Sequence, residues 1–175
     1  MRSERFLEEL PRLFEDFPRS EHPIDRHLAP VADGVENLAR ENNLALINLA
    51  ASCLEDGETY VEVGVFHGAS LIAAMLGNEG RRFVGIDRFG FRDGSAERVA
   101  ENLDRFGLEP ASILVGDAFD LVPAGALDGV KVGVWYYDAA HSHEAQLDGM
   151  RIAEPHLVPG ALIVVDDTDW VDVDR

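Results

Sequence analysis

The chain has 175 residues, 46% of them apolar, with 15 Lys+Arg against 33 Asp+Glu and a formal net charge of −18. That composition describes one soluble globular domain able to offset the entropy of ordering, and its acidic excess repels phosphate backbones and anionic headgroups, which excludes nucleic acid and membrane surfaces as partners. No apolar run approaches the roughly 18 residues that span a bilayer, the N-terminus lacks the apolar core of a secretion signal, and the sole Cys53 has no internal disulfide partner, so a cytoplasmic protein is expected.

Phe6, Leu10, Leu13 and Phe17 recur at helical spacing, which predicts an amphipathic first helix kinked or restarted at Pro11. Residues 20–30 carry Pro23 and Pro30 without periodicity and read as a connection. Asp33 and Glu36 form a D-x-x-E start signal, and Val35, Leu38, Asn42, Leu46, Leu49 and Cys53 then predict one long helix up to Gly57. From Glu58 the pattern changes to short β-rich runs: Thr59–Val63, Arg82–Ile86, Ser112–Val115, Val130–Tyr137 and Ala161–Val165. Crossover helices are expected between them over Ala69–Leu76, Ser95–Phe106 and Ser142–Leu157. The strands are apolar throughout rather than alternating, as in a parallel sheet covered on both faces, so the fold class is α/β. The chain therefore divides into an N-terminal helical extension or lid, residues 1–57, and a core over residues 58–175, within one domain.

In an open α/β sheet ligands bind beyond the carboxyl ends of the strands, near the point where strand order reverses. The first strand ends in Glu62-Val-Gly64-Val-Phe-His67-Gly68-Ala-Ser70. Missing Cβ atoms at Gly64 and Gly68 let a ligand approach the backbone and Ser70 offers a hydroxyl, although tight strand-to-helix packing needs the same glycines. The spacing is not that of a dinucleotide turn, and Glu62 repels a pyrophosphate, so a cationic or zwitterionic ligand fits better and a nicotinamide-dependent reductase is disfavoured. Asp87 ends the second strand, where it suits a ribose, a surface carboxylate or a cap. Asp117 and Ala118 follow the third strand, where they suit an adenine amine and ring or start a helix. Asp138, Asp166 and Asp167 end the last two strands, and converging carboxylates call for protonation, solvation or a cation. Mg²⁺, which prefers oxygen ligands, is the economical solution; capping of a strand in an acidic tail is the plainer one. His141 and His143 follow Asp138, one of them a candidate proton acceptor, or both simply part of a polar helix start capped by Ser142. His67 suits a pocket lining or an exposed loop. Trp135, Tyr136 and Tyr137 are expected to pack the central strand, and Phe89 and Phe91 to touch a ligand.

From Tyr60 to Asp167 these residues resemble a class I S-adenosylmethionine-dependent methyltransferase, of the metal-dependent small-molecule O-methyltransferase type that includes catechol-type and macrolide sugar enzymes. The blocks that carry the resemblance are Val61-Glu-Val-Gly-Val-Phe-His-Gly-Ala-Ser70, Gly85-Ile-Asp87, Gly116-Asp-Ala118, Asp138-Ala-Ala-His-Ser-His-Glu144 and Pro159-Gly-Ala-Leu-Ile-Val-Val-Asp-Asp167. The resemblance implies a Rossmann-like core in which Glu62, Gly64, Gly68 and Ser70 hold the methionine end of S-adenosylmethionine, Asp87 the ribose, and Asp117 with Ala118 the adenine. It also implies Mg²⁺ on Asp138, Asp166 and Asp167, with Asp138 or His141 as the base toward a catechol, sugar or natural-product diol in secondary metabolism. Family members continue after the fifth strand into a terminal strand pair, for which the eight residues after Asp167 leave no room. A shortened, inactive core and a non-catalytic adenosine-ligand binding or regulatory protein are the alternatives; the oligomeric state is left open, with an exposed stripe on the first helix favouring a homodimer.

Overall fold

The structure, a computed structural model, describes residues 1–168. Five strands, β1 (Thr59–Val63), β2 (Arg82–Asp87), β3 (Ser112–Val115), β4 (Val132–Tyr137) and β5 (Leu157–Val165), form one sheet in the order β3-β2-β1-β4-β5. Every pairing is parallel, as continuous apolar runs joined by helices require. Strand order reverses between β1 and β4, the place where open α/β sheets bind ligands beyond the carboxyl ends of their strands.

Side-chain alternation sorts the core into two layers. Tyr60, Phe83, Val134 and Tyr136 face one side, where they meet α3 (Glu41–Ser52), α4 (Ala69–Met75) and α5 (Ala96–Arg105). Val61, Val63, Ile86, Trp135 and Tyr137 face the other, against α6 (Ala118–Leu121) and Ala153 of α7 (His143–Ala153). α7 lies so close that a Cβ on Gly149 would fall 2.4 Å from the Tyr137 ring. Ser95 and Ser142 cap α5 and α7 by accepting from the backbone N–H of Arg98 and Ala145, the second as the sequence signals.

The N-terminal third departs from the predicted layout. α1 (Ser3–Glu9) runs into a 3-10 turn at Leu10–Leu13, so Pro11 does restart the chain, and Phe6 is buried while Phe17 stays exposed. The expected long helix from Asp33 is two pieces, α2 (Ala29–Gly34) and α3. The Asn37 amide donates to the carbonyls of Ala32 and Val35, ending α2 with a side chain where a helix would need backbone N–H groups. Leu38 of the expected stripe is 70% exposed, and Leu44, Ile47, Ala50 and Ala51 form the buried face instead. α3 starts at Glu41, a buried carboxylate. Burial opposes its ionisation, but hydrogen bonds from Arg26 and His22 hold its carboxyl below the usual range. Leu28, Val31, Leu44 and Ile47 share one apolar cluster with Leu71 and Ile72 of α4.

Candidate functional site

The turn after β1 is built by its backbone. Gly64 (φ +94°), Phe66 (φ +51°) and Gly68 (φ +86°) are all left-handed, and Asp87 holds them in place. One carboxylate oxygen of Asp87 accepts from the N–H groups of Val65 and Phe66 at 2.7 and 2.8 Å, the other from that of Phe89 at 2.6 Å. Asp87 thus ties the carboxyl ends of β1 and β2 together. A Cβ on Gly64 would lie 1.9 Å from the carbonyl oxygen of Asp138, and one on Gly68 would lie 3.2 Å from Val99. Both glycines answer to close approach within the protein.

Beneath the turn Glu62 is fully buried. It accepts from the Tyr60 hydroxyl at 2.7 Å and from the Ser70 hydroxyl at 2.6 Å, so Glu62 and Ser70, expected on the ligand surface, pair with each other below it. Burial pushes the Glu62 carboxyl up to about 8, against the two hydroxyl hydrogen bonds that favour its ionised form. The folded state therefore holds a proton that the unfolded chain, with an ordinary carboxyl near 4.5, releases. Stability should fall as pH rises from about 5 to 8, by at most about 1.4 kcal/mol per pH unit from this group. Thermal unfolding across that range checks the sign: Asp138, whose carboxyl is pushed up to about 7, adds a slope of the same sign, so Glu62→Gln should reduce the slope without abolishing it, and an unchanged slope would remove Glu62 as a source.

At the ends of β4 and β5 the three predicted aspartates do meet, but in two different environments. Tyr136 places its hydroxyl 2.5 Å from Oδ2 of Asp166 and 3.2 Å from Oδ2 of Asp138. One phenolic proton serves only one carboxylate at a time, so the second must be relieved by a proton or a cation. Burial, then the charges of Asp166 and Asp167, push the Asp138 carboxyl up to about 7. Asp166 also accepts from the Asn43 amide of α3 at 3.3 Å and from the backbone N–H of Asp167 at 2.9 Å, which turns it toward the α3 side. Asp138, Asp167 and His141 bring one ligand atom each within 4.8 Å of one another. His141 Nδ1 lies 3.6 Å from Asp167 Oδ2.

Asp117 caps α6 by accepting from the Phe119 N–H at 2.9 Å, the helix-start reading of that residue, and Ala118 is buried beside it. His143 is exposed on the first turn of α7. His67 is 3% exposed, so it is not an exposed loop histidine, and it stacks on Phe66 at 3.9 Å. Trp135, Tyr136 and Tyr137 are buried as expected. Phe91 is half exposed, edge-on to Phe66. Two residues of the site escape a reading of strand ends. Tyr136 shares a face of β4 with Asp138 by the two-residue period, a signal present in the sequence. Asn43 reaches Asp166 across 123 residues, and nothing local marks it. The hollows of about 360 and 600 Å³ lie elsewhere, at the amino ends of the strands around Phe83 and Leu157.

Residues 61–168 match the family described as methyltransferase domain. An uncharacterized protein of Acanthamoeba polyphaga mimivirus is 26% identical over 126 residues, 70% of this chain and 57% of that protein, so the chain spans little more than half the length of this curated relative. Among solved structures, cofactor-bound Rv0187 from MTB superimposes with a TM-score of 0.64 at 24% identity, covering 98% of this chain and 80% of that one. The O-methyltransferase TomG from Streptomyces achromogenes, in complex with SAM, gives 0.63 at 22% identity over 99% and 81%. A TDP-rhamnose 3'-O-methyltransferase of calicheamicin biosynthesis gives 0.61 at 18% over 98% and 80%. These structures share the Rossmann-like methyltransferase fold.

Proposed function

The chain belongs to the methyltransferase-domain family, and on that premise we propose that it transfers a methyl group from S-adenosylmethionine to a hydroxyl of a small molecule carrying a vicinal diol or catechol, assisted by a hard divalent cation such as Mg²⁺. The observation that carries the reading is the set Asp138, His141 and Asp167 at the ends of β4 and β5, beside the place where strand order reverses.

The residues fit both groups by their chemistry. Asp87 spends about three of the four acceptor sites of its carboxylate on backbone amides, two on Oδ2 and one on Oδ1, which leaves about one, on Oδ1, for a ribose hydroxyl. Asp138 and Asp167 supply hard oxygens for the cation, His141 stands at their edge, and Asp166 is tied to Asp138 through the Tyr136 hydroxyl and to Asp167 through that residue's backbone N–H. When bound, S-adenosylmethionine supplies a sulfonium methyl and the cation an acidified, oriented acceptor oxygen. The chain's own part is to align and deprotonate the acceptor. Asp138, on the cation, and His141, at its edge, are the two groups we assign to taking the acceptor's proton. Asp87 holds the turn that positions the cofactor, and the buried Tyr60-Glu62-Ser70 trio keeps that turn from sagging.

Calorimetry with S-adenosylmethionine and methyl-transfer assays on a catechol and sugar panel, with and without Mg²⁺, test the reading. Methyl transfer that needs Mg²⁺ is expected. Asp87→Asn replaces one accepting oxygen by a donor facing backbone N–H groups, and should weaken S-adenosylmethionine about 10- to 100-fold. Tight cofactor binding with no transfer to any hydroxyl would make the protein a binding module instead.

A further inference from the structure

A second group of ligand-type side chains lies away from Asp138 and takes no part in the chemistry above. Glu36, in the segment between α2 and α3, His67, in the glycine turn, and Asp93, in the loop after β2, each bring one ligand atom within 4.8 Å of the others. Three separate stretches of chain converge there. The His67 side chain is 4% exposed and its ring is fixed by the parallel Phe66 ring, tilted by only 11°. Among the described residues its buried Nε2 has no hydrogen-bond partner, although Oδ1 of Asp93 lies 3.2 Å away, so the two are close but misaligned for a hydrogen bond.

We propose that Glu36, His67 and Asp93 form a divalent transition-metal site of the Zn²⁺ type, pinning the N-terminal segment to the glycine turn. Two ligands bound at about 2.0–2.1 Å to a tetrahedral ion sit about 3.3 Å apart without pointing at each other, which is the relation of His67 Nε2 to Asp93 Oδ1. One imidazole with two carboxylates selects Zn²⁺ or Co²⁺ over Mg²⁺, with water completing the coordination. The carboxylates are also divided in a way that keeps the inner oxygen for the ion: Arg98 stands 4.0 Å from Oδ2 of Asp93, whereas Oδ1 faces His67. Arg92 approaches Glu36 at 3.4 Å. These two cations moderate the local charge, and the net charge of −18 draws a dication toward the molecule. With Glu36 and Asp93 both more than half exposed at their side chains, the ion has a path from solvent to the buried imidazole.

The test is titration of the full chain with Zn²⁺ in excess Mg²⁺, read by calorimetry, with Co²⁺ absorption and the imidazole ¹⁵N spectrum alongside. One equivalent of Zn²⁺ should bind and shift the His67 Nε2 resonance. Asp93→Asn and Glu36→Gln, both exposed positions that leave the core intact, should each weaken it at least about tenfold. The double variant Asp138→Asn/Asp167→Asn should retain it. Zn²⁺ binding that is untouched by Asp93→Asn and Glu36→Gln, or that disappears in the double variant, or a His67 resonance that does not move, would overturn the site and show an ordinary histidine–aspartate contact. None of these outcomes depends on methyl transfer.

Discussion

Replacing Asp138 with asparagine should lower kcat/KM for methyl transfer by about 10²- to 10³-fold, while the affinity for S-adenosylmethionine stays within about threefold. The substitution keeps the shape of the side chain and the 2.8 Å hydrogen bond from its own backbone N–H to Val63, so the frame at the end of β4 persists. What disappears is a carboxylate that both attracts a cation and accepts a proton. Stability should move the other way. In the cation-free protein Asp138 is crowded by burial and by Asp166 and Asp167, and a neutral amide relieves that crowding, so the variant should unfold at the same temperature or higher. Activity lost together with stability retained separates a chemical role from a structural one. A variant that methylates normally, or that loses activity only in proportion to unfolded protein, would remove Asp138 from the reaction.

The largest effect on stability is expected at Gly64. An alanine there meets the carbonyl oxygen of Asp138 at 1.9 Å and its carbon at 2.6 Å, and these are backbone atoms that cannot rotate aside. The backbone at φ +94° already disfavours any side chain. Accommodating the methyl means parting the ends of β1 and β4, which the hydrogen bond from Asp138 N–H to the Val63 carbonyl holds at 2.8 Å. Gly64→Ala should cost about 3 kcal/mol or more and lower the unfolding midpoint by roughly 10 °C. Gly57→Ala is the matched control: its φ is +82° and nothing lies within 4 Å of a new Cβ, so it should cost only about 1 kcal/mol. Urea unfolding of the pair measures the difference. Equal losses would mean that conformational strain alone, and not the closeness of β4, sets the requirement for glycine.

The central strands β1 and β4 could be read closely from the sequence because a strand buried on both faces leaves a continuous apolar run that ends where the polar turn begins, and the less buried edge strands β3 and β5 carry the same kind of run. Thr59–Val63 and Ser112–Val115 have the expected bounds, and the others differ by a few residues at one end. The N-terminal helices could not be read so well. Their boundary depends on Asn37, whose amide competes with backbone hydrogen bonding, and on Glu41, held by Arg26 and His22, neither of which has a periodicity to announce it. At the site, the strand-end aspartates were visible because topology alone sends them to one rim. Whether each faces a ligand there is a matter of side-chain partners. Asp166 turns toward Tyr136 and Asn43, Glu62 toward Tyr60 and Ser70, and Asp117 toward its own helix, all through contacts set by folding rather than by spacing. The group around His67 was illegible for the same reason, since its members come from three loops without a shared motif.

The apolar cluster that joins Leu28, Val31, Leu44 and Ile47 to Leu71 and Ile72 bears on protein engineering. A chimera that borrowed only the residues from Glu58 onward would uncover the apolar side of α4 and the part of the sheet face that α3 packs on, prone to clump with its own copies, and would deprive Asp166 of the Asn43 amide. Any exchange of acceptor preference by recombination would therefore have to carry the first 57 residues along with the strands they shelter.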